Sequence, residues 1–410
     1  VRQRRPELLT SDDSSRKYKD FLGLINTQAP VDFGFKGLSI ANNVMGDDAK
    51  QFHTRPGFSL FRAGAPITAF VLGSEMYVVE GGVLRHLLSA TESRDLLAGL
   101  TGTSYSWDVI NSKAYFVNGV EAGVVFGDTY ESLRVAAPSI TSVEPLDVGA
   151  LPATRFNVGQ GYDTALWRFC ATYMLSDGRE SAPSEAVELI ASPTTRAFRV
   201  TVPPQYARTN LYVTEPDGTV FRLATSTTTE VTSFAALRTT TELTTYGTSP
   251  LPDGVDQLVY WNGKLWVAQY FPAENTSVIW FSKSFAFHLY DMGGDYIVVP
   301  GRVAMLLWNN AGLLIGSTEA VYQYDAAGKL DTVVGYGVTP GSAGVVDSEG
   351  VAYFWTTRGL CKASPFENLT EKTVGMPAGL WANTALVYLD GMQQVVTITQ
   401  GGGTPFNVRS

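Results

Sequence analysis

Nucleophilic, metal-binding and acid–base chemistry each need particular residue types at particular spacings, and this 410-residue chain carries few of them. Its three histidines, His53, His86 and His288, are too scattered for the short ligand spacing of a zinc site. Cys170 and Cys361 stand 191 positions apart in the apolar runs RFCATYM and GLCKAS. They are expected to be buried free thiols of a protein made in a reducing compartment. The sequence has no C-x-x-C, no G-x-S-x-G elbow and no phosphate-binding G-x-x-x-x-G-K-[ST] loop. No cofactor is expected from these motifs.

The carboxylates offer more. Asp108, Asp128, Asp256, Asp291, Asp325 and Asp347 all sit near expected strand ends. A glycosidase would bring such groups together in facing pairs, but aspartate also favours turns for local hydrogen-bonding reasons. The turn explanation is preferred. Asp291 and Asp295 flank a glycine pair and present two oxygen donors, without the fuller ligand array of a calcium loop. Trp107, Trp261, Trp266, Trp280, Trp308 and Trp355 fall beside turns. Such rings serve either as packing wedges between sheets or as stacking platforms, and packing is expected. Asp347-Ser-Glu-Gly350 with Trp355 only loosely echoes a sialidase box, and the sequons at Asn275 and Asn368 lack a secretion signal to support their use.

The elements that position these residues repeat. A strand, a short polar turn and a second strand recur around Gly73, Asn111, Asn262, Asn309, Ser348 and Asp390, at spacings of 38, 151, 47, 39 and 42 residues. Repeats of about 40 residues built from short strands are the pattern of β-propeller blades. The long spacing holds one blade plus roughly 110 further residues by the same rule. Within it, hairpin signals at Asp177-Gly178 and Asp217-Gly218 and Thr-rich strands indicate a β-sandwich. The fold class is therefore all-β: a propeller of about six blades, range five to seven, with an inserted fibronectin/Ig-like β-sandwich. The expected divisions are 1–60, an arm and a closing strand; 61–145, the first blades; 146–250, the insert; and 251–410, the remaining blades and a Gly-rich tail. Two short helices are expected, one from Asp13 to Ile25 and one in TESRDLLAGL from Thr91.

Composition fits this outline. Hydrophobic residues make up 45% and charged residues 17%, with 40 glycines, which suits many short strands joined by tight turns. The net charge of −9 argues against broad nucleic-acid gripping but allows a channel wall past which nucleic acid slides. No apolar run is long enough for a membrane helix, and the first twenty residues have no signal-peptide core. Arg2, Arg4, Arg5, Arg16, Lys17 and Lys19 make that segment basic, either as a solvated tail or as a docking arm.

The order of these modules resembles a family. A basic arm leads through Asn42-Asn43 and Arg55–Phe58 into blades; TYMLSDGRESAPSE and ARTNLYVTEPDGTVFRLAT form the insert; and DQLVYWNGKLWVAQ and VIWFSKSFAFHLYD resume the blades. This resembles the tail nozzle, or tail hub, proteins of short-tailed bacteriophages. The resemblance implies a non-enzymatic virion protein, synthesised in the host bacterial cytoplasm and assembled as a ring of about six copies in the tail. Such a ring docks under the portal and adaptor, continues the DNA exit channel, retains packaged DNA and receives tail fibre or needle proteins. The six basic arm residues are the expected docking contacts. The chain has room for only one insert, so it departs from larger nozzles, and gate and platform roles both stay open. A carbohydrate-binding propeller (a lectin or adhesin) is the alternative, and a propeller glycosidase a further one.

Overall fold

The computed structural model describes residues 44–46, 52–54, 64–147, 165–192, 195–234, 241–339, 344–369, 381–389 and 392–400. Among these, every regular element is a β-strand, and all pairing is antiparallel. The helix expected at Asp13–Ile25, the closing strand after Arg55–Phe58 and the basic arm residues lie outside the described residues.

Four-stranded sheets follow one another along the chain. The first comprises Thr68–Leu72, Glu75–Glu80, Val83–Leu87 and Ser93–Ala98, paired in sequence order. The second comprises Ser106–Ile110, Lys113–Val117, Ala122–Phe126 and Thr129–Ser132. A third, larger sheet spans Val255–Trp261, Lys264–Phe271 and Thr276–Lys283, with Ala286–Tyr290 and Tyr296–Pro300 both pairing to its last long strand. The fourth covers Val303–Asn309, Gly312–Ser317, Val321–Tyr324 and Leu330–Val334, and the fifth Val345–Val346, Ala352–Thr356, Gly359–Ala363 and Glu367–Asn368. Two hairpins stand outside these sheets, Val44–Gly46 with Phe52–Thr54 and Trp381–Leu389 with Met392–Gln400.

The sequence makes these sheets by hairpin chemistry. Asn111 and Ser112 both take positive φ, 50° and 59°, and Asn262 and Gly263 take 51° and 75°. Turns of this hand match the right-handed twist of the flanking strands, which is why Asn and Gly recur there. Alternation then sorts side chains to two faces. Tyr77, Val79 and Leu84 of the first sheet share a core with Ala114, Phe116 and Val125 of the second. Val117 and Val124 meet Leu258, Leu265 and Val267 of the third sheet; Val259, Trp266 and Ile279 meet Leu306, Leu313 and Ile315 of the fourth; and Met305, Leu314 and Val321 meet Phe354 and Cys361 of the fifth. The second, third and fourth sheets thus bury both faces against their neighbours in the series.

The segment from Thr91 to Leu100 departs from expectation. It forms the strand Ser93–Ala98 rather than a helix. Six residues are too few to overcome helix nucleation alone, while the free edge of Val83–Leu87 offers backbone partners and Arg85 offers Asp95 an ion pair at 2.8 Å. Ser89 accepts from the backbone N–H groups of Thr91 and Glu92, so this polar run closes a turn instead of capping a helix.

Between the second and third sheets the chain leaves the series. Val187–Ala191, Ala165–Met174, Arg208–Val213 and Arg222–Thr227 form one sheet, and Ser142–Asp147, Thr195–Thr201 and Val231–Phe234 another. Trp167, Phe169 and Leu211 of the first pack with Phe198 and Val200 of the second in a separate core. The second and third sheets of the series nevertheless touch directly through the core just described. The chain therefore departs, builds a two-sheet unit and returns to the same place.

Candidate functional site

The six strand-end aspartates hold the scaffold together. Asp325 accepts from the N–H groups of Ala327 and Lys329, Asp347 from those of Glu349 and Val351, and Asp291 from that of Gly293. Asp108 crosses between sheets and accepts from the Tyr260 N–H at 2.6 Å. Burial raises its pKa against the pull of two backbone donors, Tyr260 and Val109. Asp256 accepts from Arg302 at 2.6 Å, and burial likewise raises its pKa against that cation. Asp128 receives Arg94 and the Nδ1 of His86, the latter at 2.9 Å. No facing carboxylate pair emerges from this set: Asp291, Asp325 and Asp347 are held by N–H groups of their own turns, while Asp108, Asp128 and Asp256 take donors far off in sequence.

The loop from Asp291 to Asp295 already holds a cation of the protein's own. Lys283 Nζ lies 3.2 Å from Asp291 and 3.0 Å from Asp295. No cluster of three metal-ligating side chains exists among the described residues. Cys170 and Cys361 are both free and buried. The tryptophans mainly pack: Trp107 stacks on Phe70, Trp266 lies against Trp261, Phe281 and Tyr324, and Trp355 is buried. Trp308 is the exposed exception.

A cluster of polar side chains lies where the two-sheet unit meets the series. The hairpin after Ala165–Met174 turns at Asp177-Gly178 and carries Arg179 at its tip. Arg179 donates to Asp177 at 2.6 Å and reaches Glu131 of the second sheet at 3.2 Å. Next in sequence, the Glu180 carbonyl accepts from His288 Nε2 of the third sheet at 2.8 Å, which places the proton on that nitrogen. One hairpin thus ties together two sheets that are far apart in sequence. Farther along, Arg134 donates to the carbonyls of Leu251 and Pro252, where the chain returns from the unit.

Electrostatics follow from this placement. Burial lowers the pKa of His288, and the nearby Arg179 cation adds to the effect, outweighing the Glu180 carbonyl and Asp177. Burial pushes the Asp177 carboxyl up, but the backbone N–H and guanidinium of Arg179 outweigh it and leave the pKa below the usual value. Two cavities of about 250 and about 160 Å³ adjoin along the seam, sharing Glu131, Asp177 and Arg179. The smaller adds Lys113, Tyr115, Phe285 and Phe287. Sequence reading placed a turn at Asp177-Gly178 but not this seam. The only local signal was Arg179 directly after the turn; its partner Glu131 sits 48 positions away, and His288 sits 108 positions from its acceptor, the Glu180 carbonyl.

No family model matches the chain, and no curated protein matches it. Solved structures show weak likeness. The extracellular domain assigned to a hybrid two-component system of B. thetaiotaomicron is 11% identical with a TM-score of 0.31, covering 79% of this chain and 36% of that one. This chain thus spans about a third of that domain's length. Kuenenia stuttgartiensis hydrazine synthase is 7% identical with a TM-score of 0.29, covering 74% of this chain and 75% of that one. Apo AztD from Citrobacter koseri is 11% identical with a TM-score of 0.27, covering 81% and 88%. At such scores the likeness bears on neither the fold nor the activity of this chain.

Proposed function

We propose that this chain is a structural protein of a short-tailed phage tail, a nozzle or hub subunit built as a β-propeller with a fibronectin-like insert. The observation that supports this reading is the order of modules. Sheets of four or five strands pack in series, the series is interrupted after its second sheet by a two-sheet unit, and the flanking sheets stay in contact. In the proposed assembly the sheets are blades, and the series closes into a ring of blades. About six subunits then form a ring beneath the portal and adaptor. Arg2, Arg4, Arg5, Arg16, Lys17 and Lys19 dock the arm on that neighbour, and the net charge of −9 keeps DNA from sticking in the channel. The module order is an analogy of architecture, so the assembly itself must be tested.

Quantitative mass spectrometry of purified particles from the source culture provides the test. The expected result is this chain at a fixed ratio of about one half to the portal protein, as a six-fold ring under a twelve-fold one requires. Absence of the chain from particles overturns the reading.

A further inference from the structure

One aromatic ring is held where its backbone disfavours it. Phe285 is the second residue of the two-residue turn joining Thr276–Lys283 to Ala286–Tyr290, and its φ is +58°. Glycine ordinarily fills such positions, because a Cβ clashes there, and a bulky residue in this region is a genuine outlier. The turn is retained by the Phe285 N–H donating to the Gly263 carbonyl at 3.0 Å. Burial does not explain the ring, since Phe285 is 77% exposed, more than any other large apolar residue described. The ring rests beside the Gly263 turn yet gains little burial there, and strain that persists for so little packing points to function.

The ring stands at the edge of the smaller seam cavity. Tyr115 and Phe287, packed edge to face with centroids 5.8 Å apart, supply a second aromatic wall. The charges around it balance: Lys113 and Arg179 against Glu131 and Asp177. Those charges already engage one another, Arg179 with Asp177 and Glu131, and Lys113 with Glu131 at 3.9 Å. An ionic ligand must break one of these pairs. A neutral ligand need not, because Glu131 Oε1 and the Tyr115 hydroxyl make no hydrogen bond among the described residues and remain able to take one. Burial raises the Tyr115 pKa, so this hydroxyl is protonated and can donate.

We infer that this cavity is a binding site for a neutral pyranose sugar, with Phe285 as its stacking platform and Tyr115 and Glu131 as its hydrogen-bonding partners. The chemistry is that of a ligand with one apolar and one hydroxylated aspect. The C–H face of a pyranose, polarised by the neighbouring oxygens, lies against the negative π-face of an aromatic ring. Its hydroxyls both donate to a carboxylate and accept from a phenol. A cavity of about 160 Å³ that opens onto an exposed ring admits one sugar residue, with the remainder of a glycan left in solvent. This inference stands apart from the tail reading and does not depend on it.

Saturation-transfer NMR on the full chain tests it, with the methyl glycosides of glucose, galactose and N-acetylglucosamine as probes at millimolar concentration. Transfer to the ring C–H protons of at least one is expected. The decisive variant is Phe285→Gly. Glycine relieves the positive φ, so the melting temperature is expected to hold or rise, while apparent affinity falls about fivefold with loss of the stacking ring. Tyr115→Phe keeps the packing and removes the hydroxyl, and is expected to weaken the same signal. Three results overturn the proposal: no transfer to any of the three probes, transfer unchanged in both variants, or a Phe285→Gly chain that loses stability. The last would show that the ring supports the fold.

Discussion

The junctions between successive sheets and the seam of the two-sheet unit solve the same problem with different chemistry. Between sheets, contact is mainly aliphatic and aromatic, with Asp108, Asp128 and Asp256 adding polar links at strand ends: Phe116 lies against Tyr77 and Val79, and Ile279 against Leu306 and Ile315, all with little or no exposure. At the seam, contact runs through Arg179, Glu131, His288 and main-chain carbonyls, beside open cavities. Apolar burial is strong, non-directional and insensitive to pH. Ion pairs at partly exposed positions contribute little to stability but fix geometry, and they respond to salt and protons. The series is therefore built to stay together, and the unit to be held in one orientation on it by contacts that solution conditions can weaken.

The largest effect should come from a junction. Phe116 is fully buried and contacts both Trp107 and Tyr130 as well as the first sheet. Phe116→Ala is expected to destabilise the protein by about 3–5 kcal/mol through lost burial and the cavity left behind. Urea unfolding should show a lower midpoint. A shift within the range of a surface substitution would mean that the junction is not the source of stability.

A smaller effect, with a pH signature, is expected at His288. Its imidazole supplies the donor for the Glu180 carbonyl. His288→Ala leaves that acceptor unpaired, a loss of about 1–3 kcal/mol. Burial depresses the His288 pKa below its ordinary value of 6.5, so the unfolded chain binds a proton that the folded chain refuses. The stability this contributes is present above about pH 6.5 and is lost as pH falls toward the lowered folded value. His288→Gln keeps an N–H donor and removes the titration. Hydrogen exchange of the strand Ala286–Tyr290 should quicken between neutral pH and pH about 5 in the native protein, beyond the intrinsic rate change, and less so in the glutamine variant. Equal pH slopes would detach His288 from the seam's response.

The contrast between regions also explains what could be read from the residues beforehand. Local patterns carried the hairpins: Asn111-Ser112 and Asn262-Gly263 announce their turns, and apolar alternation around them announces strands. The interruption of the series was legible for the same reason, since a spacing of 151 residues has no place among spacings near 40. The strand Ser93–Ala98 was missed because its conformation is set by the open edge of Val83–Leu87, a tertiary partner that overrides local preference. The seam was illegible because Arg179, Glu131 and His288 are ordinary surface-type residues until the fold brings them together. Phe285 left only a faint trace, a turn between two strands with no glycine in it.

The smallest effect sharpens the comparison most. Arg179 is paired with both Asp177 and Glu131, yet about a quarter of its side chain is exposed. Arg179→Ala should therefore lower global stability by no more than about 1 kcal/mol. Its local effect should be larger than its global one. Asp177 keeps its pKa low chiefly through Arg179, against the upward push of burial. That stabilisation is present above the ordinary aspartate value and lost as pH falls through the lowered one. Without the guanidinium its share of the lowering is lost while the backbone N–H of residue 179 and Lys113 remain, so the Asp177 titration, followed by NMR, should move up. The amides from Leu175 to Arg179 should lose protection while those of Lys113–Val117 keep theirs. If both sets lose protection together, seam and sheets form one cooperative unit. If only the hairpin tip responds, the unit is a separately adjustable attachment, fastened to a series that does not need it to remain folded.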